Sequence, residues 1–314
     1  MSTDSIPISG IPSAATVNTR ASLAVGASAI VADYWALTKP EVNFLITMAT
    51  LTGFYLAWPG GLHNFPWMLL AHTLLGTVLV ASGTGALNQY VERRFDAQMR
   101  RTARRPLAAG RLTPSRVLWF GVALSLGGSI YLAIVVNLFA SLLAIVTLLS
   151  YLFLYTPLKR KTPLSTLVGA FPGAIPPLIG CAAASGRLEV EAWLLYATLF
   201  LWQFPHFMAI AWMYREDYHH AGYLVLPTGK LRSSFIAWGT VLPLLALIVV
   251  GLIPTLLGHG GMFYSAAIVM LGAIFLYYGA ELALRKSNVA ARRLLLASIV
   301  YLPLVFTVMM IDKG

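Results

Sequence analysis

The stretch that decides how this chain is read is Asn88–Arg111, NQYVERRFDAQMRRTARRPLAAGR. It begins as the end of a long apolar run and finishes as an arginine-dense loop. Asn88, Glu92 and Asp96 recur at every fourth residue, so on a helix they stand on one face, each about 6 Å above the last. An amide and two carboxylates in a row, followed by Arg100, Arg101, Arg104 and Arg105, suit a divalent cation bridged to a phosphate. Mg²⁺ takes one or two protein carboxylates and completes its shell with phosphate oxygens and water. Arginines beside a membrane helix also serve simply to orient it. The acid ladder directly upstream argues for more than orientation.

Outward from this stretch, the 314-residue chain is 58% apolar and only 11% charged, against about 25% charged in soluble domains. It reads as an all-α integral membrane protein with most of its length in the lipid bilayer. The single cysteine, Cys181, excludes an internal disulfide, and no Cys/His metal spacing occurs. The net charge of +11 is not that of a nucleic-acid binder, because no soluble basic domain is present to carry such a function. Residues 1–33 read as a disordered cytosolic tail and 34–314 as one intramembrane domain. The tail has neither a secretory signal pattern nor the arginines of an organellar transit peptide, which points to a bacterial cell membrane.

Windows of about 20 apolar residues, the length that crosses a bilayer, predict nine helices. They fall near 42–58, 66–90, 117–136, 138–156, 164–184, 192–214, 233–254, 262–284 and 294–311. The run 117–156 is nearly continuous; at about 1.5 Å per residue it would be twice as long as the bilayer core is thick, so it must fold back near Asn137. With the N-terminus inside, 20 of the 22 basic residues fall in inner segments, and only Arg187 and Lys313 stay outside. This asymmetry places the N-terminus in the cytoplasm and Gly314 outside.

The even-numbered helices then deliver their C-terminal ends to the inner face, where the polar chemistry collects. The second ends in the Asn88/Glu92/Asp96 ladder. The fourth ends in Tyr151, Tyr155, Lys159 and Arg160, whose cations can serve phosphate as well as topology. The sixth ends in Glu216 and Asp217, either loop acids in solvent or a second acidic motif. Two parallel acidic ends suggest a weak internal repeat facing one cavity. The fifth run, Phe171–Gly180, is broken by Pro and Gly, and broken backbone at membrane depth must be buried or line a cavity. His206 is the histidine in the inner half of a predicted helix, either bonded within the bundle or able to ligate heme or handle a proton. A secondary transporter is the alternative class. Coupled transporters carry ionisable groups near the midplane, whereas the predicted helices here have none at their middles. Acids beside arginines at one face favour a diphosphate substrate.

These residues carry a resemblance to the UbiA-type intramembrane prenyltransferases, and within them to the branch that acts on heme. The matching pieces are Leu37-Thr-Lys39-Pro40, Ala86-Leu-Asn88 through Arg105-Pro106-Leu107, Tyr155-Thr-Pro-Leu-Lys159-Arg160 and Gly173-Ala-Ile-Pro176-Pro177-Leu-Ile-Gly180. Pro205-His206-Phe207, Asp217-Tyr218-His-His-Ala221-Gly222 and Ser298-Ile-Val-Tyr301 complete them. Glu92 stands where the family commonly has Asp, Arg94 where it often has a further Asp, and Ala221 fills the second acidic slot of the later motif. The resemblance implies nine helices around a central cavity. It implies that farnesyl diphosphate alkylates a vinyl group of heme B, with water added, giving heme O and diphosphate. It assigns Glu92, Asp96 and Asp217 to Mg²⁺ with Asn88 in support, Arg101, Arg105, Lys159 and Arg160 to the diphosphate, and His206 to the porphyrin. A downstream heme-modifying enzyme is the implied recipient. Another prenyl acceptor is the alternative within the family. The acidic side chains are expected at a wet helix end, outside the packing.

Overall fold

The apolar windows become helices whose ends follow local capping chemistry. The structure, a computed structural model, describes residues 19–229 and 231–313, with side chains from Ser28 onward. In chain order the helices are α1 Thr19–Leu37, α2 Pro40–Ala57, α3 Trp67–Asp96, α4 Pro114–Tyr131, α5 Leu138–Leu149, α6 Thr156–Leu158, α7 Ser165–Gly173 and α8 Pro176–Ser185. They continue with α9 Val190–Met213, α10 Arg215–His220, α11 Leu231–Leu256, α12 Met262–Arg285 and α13 Asn288–Lys313. Proline at the first turn opens α2, α4 and α8, where its missing N–H costs nothing.

Among the described residues, eight helical stretches are long and apolar enough to cross a membrane. The ninth expected span, α2, is not one of the eight. It is short, carries Glu41 near its start and buries Asn43, Thr50 and Thr52 against its neighbours, so it has no bilayer-length window as apolar as those of the other eight. The expected tail needs correction: Thr19–Leu37 is helical. Its alanine-rich sequence has high intrinsic helix propensity, and Asp33 accepts from Arg111 Nε at 2.9 Å, which ties α1 to the arginine loop. Residues 1–18, Lys230 and Gly314 lie outside the described residues, and with them the N-terminal part of the expected tail and the expected outer end.

The run 117–156 does fold back at Asn137. Its backbone is extended, and its side chain accepts from Ala140 N–H as the cap of α5. The amide also donates to Ala182 O at 2.8 Å, pinning the corner to α8. The fifth run breaks between α7 and α8, and Ala170, Ala174, Pro176 and Pro177 around the break are buried. Two of the carbonyls there find side-chain donors: Gln203 Nε2 donates to Ala170 O and Thr50 Oγ1 to Pro176 O. Nothing larger than hydrogen fits where α2 crosses α8. A Cβ on Gly53 would run into Pro177 O, and one on Gly180 into Thr50 O, the small-residue contact that lets membrane helices approach closely.

Candidate active site

The last two turns of α3 carry the ladder inward. Asn88, Glu92 and Asp96 are 1%, 6% and 2% exposed, which corrects the expectation of a wet helix end. Burial of two carboxylates demands partners, and these arrive from α3 itself and from three other segments. Lys159 Nζ, just past α6, reaches Glu92 Oε1 at 2.9 Å. Tyr223 hydroxyl donates to the same oxygen at 3.1 Å. Asn88 Nδ2 donates to Glu92 Oε2 at 3.0 Å and to Thr156 Oγ1 at 3.3 Å. Lys39, between α1 and α2, donates to Asn88 Oδ1 at 3.0 Å.

The arginine loop is folded back onto the helix it follows. Thr102 hydroxyl donates to the Asp96 carbonyl at 2.8 Å, satisfying one of the helix-end acceptors. Met99, Leu107 and Leu112 are buried beneath the loop. This return brings Arg105 Nη1 to Asp96 Oδ2 at 2.7 Å. Asp96 Oδ1 is buried without a hydrogen-bond partner. Arg101 is exposed; it donates to the Tyr218 hydroxyl at 3.2 Å and lies over the Tyr214 ring. Arg160 is also exposed and covers the Phe95 ring at 4.2 Å. Two exposed cations beside the ladder are thus held on aromatic faces.

The second acidic end packs against the first, but its own carboxylates, Glu216 and Asp217, take no part in the ladder's hydrogen bonds. Met99, Ala221 and Tyr223 form one buried cluster with Phe95 and Tyr218 against it. Leu224 N–H bonds Lys159 O at 2.9 Å, so the loop after α10 is laced to the lysine segment. Asp217 is half-buried. Among the described residues no three His, Cys, Asp or Glu side chains stand close enough to hold a metal by themselves. The expected trio of Glu92, Asp96 and Asp217 is therefore not assembled by protein alone, because the contact between the two ends runs through Tyr218, Tyr223 and Arg101. The ladder still suits Mg²⁺: it offers one unpartnered buried carboxylate oxygen, and this ion uses only one or two carboxylates.

Electrostatics follow the geometry. Burial by itself would push the Lys159 ammonium down, but Glu92, with Tyr155 and Tyr151, holds it well above its ordinary range. Lys39 is lowered to about 7 by burial and by the nearby Arg105 and Lys159 cations. The Tyr223 hydroxyl is pushed up by burial and by Glu92, so it stays a proton donor.

His206 lies on α9 and is half-buried. Ser298 hydroxyl donates to Leu295 O at 2.6 Å. Its one proton is thereby used, and it must accept from His206 Nδ1, 2.8 Å away. The ring carries its proton on Nδ1 and its lone pair on Nε2. Trp202 stacks on it at 4.9 Å. A histidine that ligates a metal usually donates its other nitrogen in this way.

A cavity of about 710 Å³ lies at the opposite end, lined by Trp58, Cys181, Glu191, His259, Tyr264 and Lys313 among others. Its charges are already engaged: Glu191 pairs with His259 at 3.0 Å, and Lys313 donates to three carbonyls at the end of α2. No chemistry converges there as it does on Glu92.

Sequence reading missed Lys39, Thr156 and Tyr223 as site residues. Lys39 showed only as part of a motif. Tyr223 had a usable signal: Gly222 precedes it, and at φ +70° that glycine takes the left-handed turn that sends Tyr223 back to Glu92.

Residues 46–302 match the UbiA prenyltransferase family, and the chain belongs to that family of membrane-embedded prenyltransferases. Among its relatives, a protoheme IX farnesyltransferase of Solibacter usitatus (strain Ellin6076) is 49% identical over 287 residues, 90% of this chain and 98% of the relative. One of Koribacter versatilis (strain Ellin345) is 42% identical over 298 residues, 92% of this chain and 95% of the relative. The fold is shared with digeranylgeranylglyceryl phosphate synthase, at 16% identity and TM-score 0.70 over 90% of this chain and 98% of that one. It is also shared with a UbiA homolog from Archaeoglobus fulgidus bound to GPP and Mg²⁺, at 14% identity and TM-score 0.52 over 88% and 99%.

Proposed function

We propose that this enzyme transfers a farnesyl group from farnesyl diphosphate to a vinyl group of heme B, with addition of water, giving heme O and diphosphate. The observation that carries the reading is the buried Glu92/Asp96 ladder under a rim of Lys159, Arg105, Arg101 and Arg160, at the end of an otherwise apolar bundle. Such a place suits a substrate with a dianionic or trianionic head and a hydrocarbon tail. The relatives' names choose the acceptor. The basic asymmetry supports an orientation with the N-terminus and the ladder end cytoplasmic, and the bacterial sources of the relatives support a bacterial inner membrane.

Asp96, Glu92 and Asp217 would hold Mg²⁺ once the diphosphate is bound, with Asn88 in support. When bound, that ion would neutralise negative charge developing on the leaving diphosphate. Lys159 and Arg105, already fixed by their carboxylates, would turn further donors to the phosphate oxygens, and Arg101 and Arg160 would close over them. A vinyl carbon is a weak nucleophile, so ionisation of the allylic C–O bond precedes its attack. The farnesyl cation would form deeper, near the Tyr151 and Tyr155 rings, which stand 5.0 Å apart. The apolar bundle keeps water away until the new C–C bond exists. Water then captures the carbon cation left beside the porphyrin, and its proton departs. His206 Nε2 would meet heme iron or take that proton.

Mass spectrometry of hemes from heme-synthesising cells with and without the protein tests this. A farnesylated, hydrated heme present only with it is expected. Its absence, with heme B and farnesyl diphosphate available, would remove the reading and leave another acceptor or a transporter.

A further inference from the structure

Lys39 closes α1 and opens α2 from the left-handed region, at φ 53° and ψ 64°. Chain reversal at a helix end favours glycine there, because a Cβ is strained at such angles. The following residue is Pro40, which restricts Lys39 further. Only two non-glycine residues among those described have positive φ, Lys39 and Lys286. They make an internal control for each other. Lys286 ends α12 and is exposed. Lys39 turns inward. Its stem passes close to Gly85, whose missing Cβ would stand 3.5 Å from Lys39 Cδ. Its Nζ then meets Asn88, one turn further along α3.

That meeting decides which way the Asn88 amide faces. Asn88 is 1% exposed, so both ends of the amide need partners. With Oδ1 taken by Lys39 at 3.0 Å, the NH₂ group is directed at Glu92 Oε2 at 3.0 Å and at Thr156. Glu92 is then held from both oxygens, by Asn88 on one and by Lys159 and Tyr223 on the other. A strained lysine where glycine would relax, reaching into the site over a glycine, indicates that the side chain is kept for its contact.

We propose that Lys39 is a positioning residue of the transfer site, acting through the Asn88 amide to hold Glu92 in the orientation used for the diphosphate. The proposal rests on the prenyl-transfer reading above.

The test compares wild type, Lys39→Met, Asn88→Ala and the double variant, with Lys39→Gly, Lys39→Arg and Lys286→Gly alongside. Lys39→Met is expected to lower kcat about 30-fold with KM for farnesyl diphosphate changed less than threefold, as loss of an orienting contact does. The double variant should lose no more than Asn88→Ala alone, since both changes break one chain of contacts. Lys39→Gly should melt at or above the wild-type temperature yet share the kcat loss. Lys39→Arg should recover part of it, and Lys286→Gly should leave turnover unchanged. Multiplying losses in the double variant, or a KM effect with unchanged kcat, would overturn the positioning role. A Lys39→Gly protein that keeps wild-type kcat would do the same. The thermal-unfolding cycle on the first four proteins reads the Lys39–Asn88 coupling without any reaction. A wild type without turnover would therefore sink the prenyl-transfer reading, whereas additive melting shifts would sink this inference.

Discussion

Two acidic helix ends meet at one end of this bundle, and they are built differently. At the end of α3, Glu92 and Asp96 are buried, ion-paired with Lys159 and Arg105, and cross-linked through Asn88 and Tyr223. At α10, Glu216 is exposed with only a long contact to Arg215, 3.5 Å, and Asp217 is half-buried with no hydrogen bond or ion pair to its carboxylate among the described residues. In sequence the two look like repeats. In space the first is a finished structural cluster that also offers one unpartnered oxygen, and the second is a half-exposed acid that water can solvate. The same carboxylate chemistry therefore carries different debts to stability. Removing a buried partner strands a charge, whereas removing a half-exposed acid strands nothing.

The comparison is broken most directly at Glu92. Glu92→Ala should lower turnover by about 10²-fold or more and also destabilise the fold by about 3–5 kcal/mol, because Lys159 is left buried and unpaired. Adding Lys159→Met should restore much of the melting temperature and none of the heme O formation. If Glu92→Ala melts like wild type, the ladder is not the structural cluster described. Glu92→Asp, which keeps the charge, should retain more turnover than Glu92→Ala in the same assay.

Asp96→Asn sharpens it next. Turnover at saturating farnesyl diphosphate and Mg²⁺ should fall about 10²-fold, with a smaller melting loss than for Glu92→Ala. Arg105 is 25% exposed at its side chain, so water can take over the freed guanidinium. Dependence of turnover on added Mg²⁺ should weaken in parallel.

For the second end, Asp217→Asn should cost a similar factor of about 10² in turnover, yet leave the melting temperature within about 1 °C of wild type, the small effect of a change outside any packed network. A clear melting loss would mean that Asp217 is held by protein and that the contrast between the two ends is false.

The smallest effect is expected at the far end. Glu191→Gln breaks an exposed pair with His259 worth about 0–1 kcal/mol, and turnover should change less than twofold. A large loss would bring the 710 Å³ cavity into the reaction.

Much of this is legible in the amino-acid sequence. Helix positions followed from bilayer-length apolar runs, and the corner at Asn137 from the excess length of one of them, because backbone groups in lipid leave little choice but helix. The four-residue spacing of Asn88, Glu92 and Asp96 was enough to put them on one face. What the local pattern could not carry was which distant side chains close on that face. Lys39 lies 49 residues from Asn88 and Tyr223 lies 131 from Glu92, and no periodicity encodes such pairings.

The amino-acid sequence by itself determined a polytopic α-helical membrane protein with its acids and cations gathered at one face, since length, hydropathy and charge placement answer directly to the bilayer. Only the tertiary structure decided that the ladder is buried, that Glu92 belongs to Lys159, Tyr223 and Asn88, and that Asp217 stands apart. Burial and partner choice are set by how helices cross, at contacts such as Gly53 on Pro177 and Gly180 on Thr50, and these close approaches depend on the whole bundle at once.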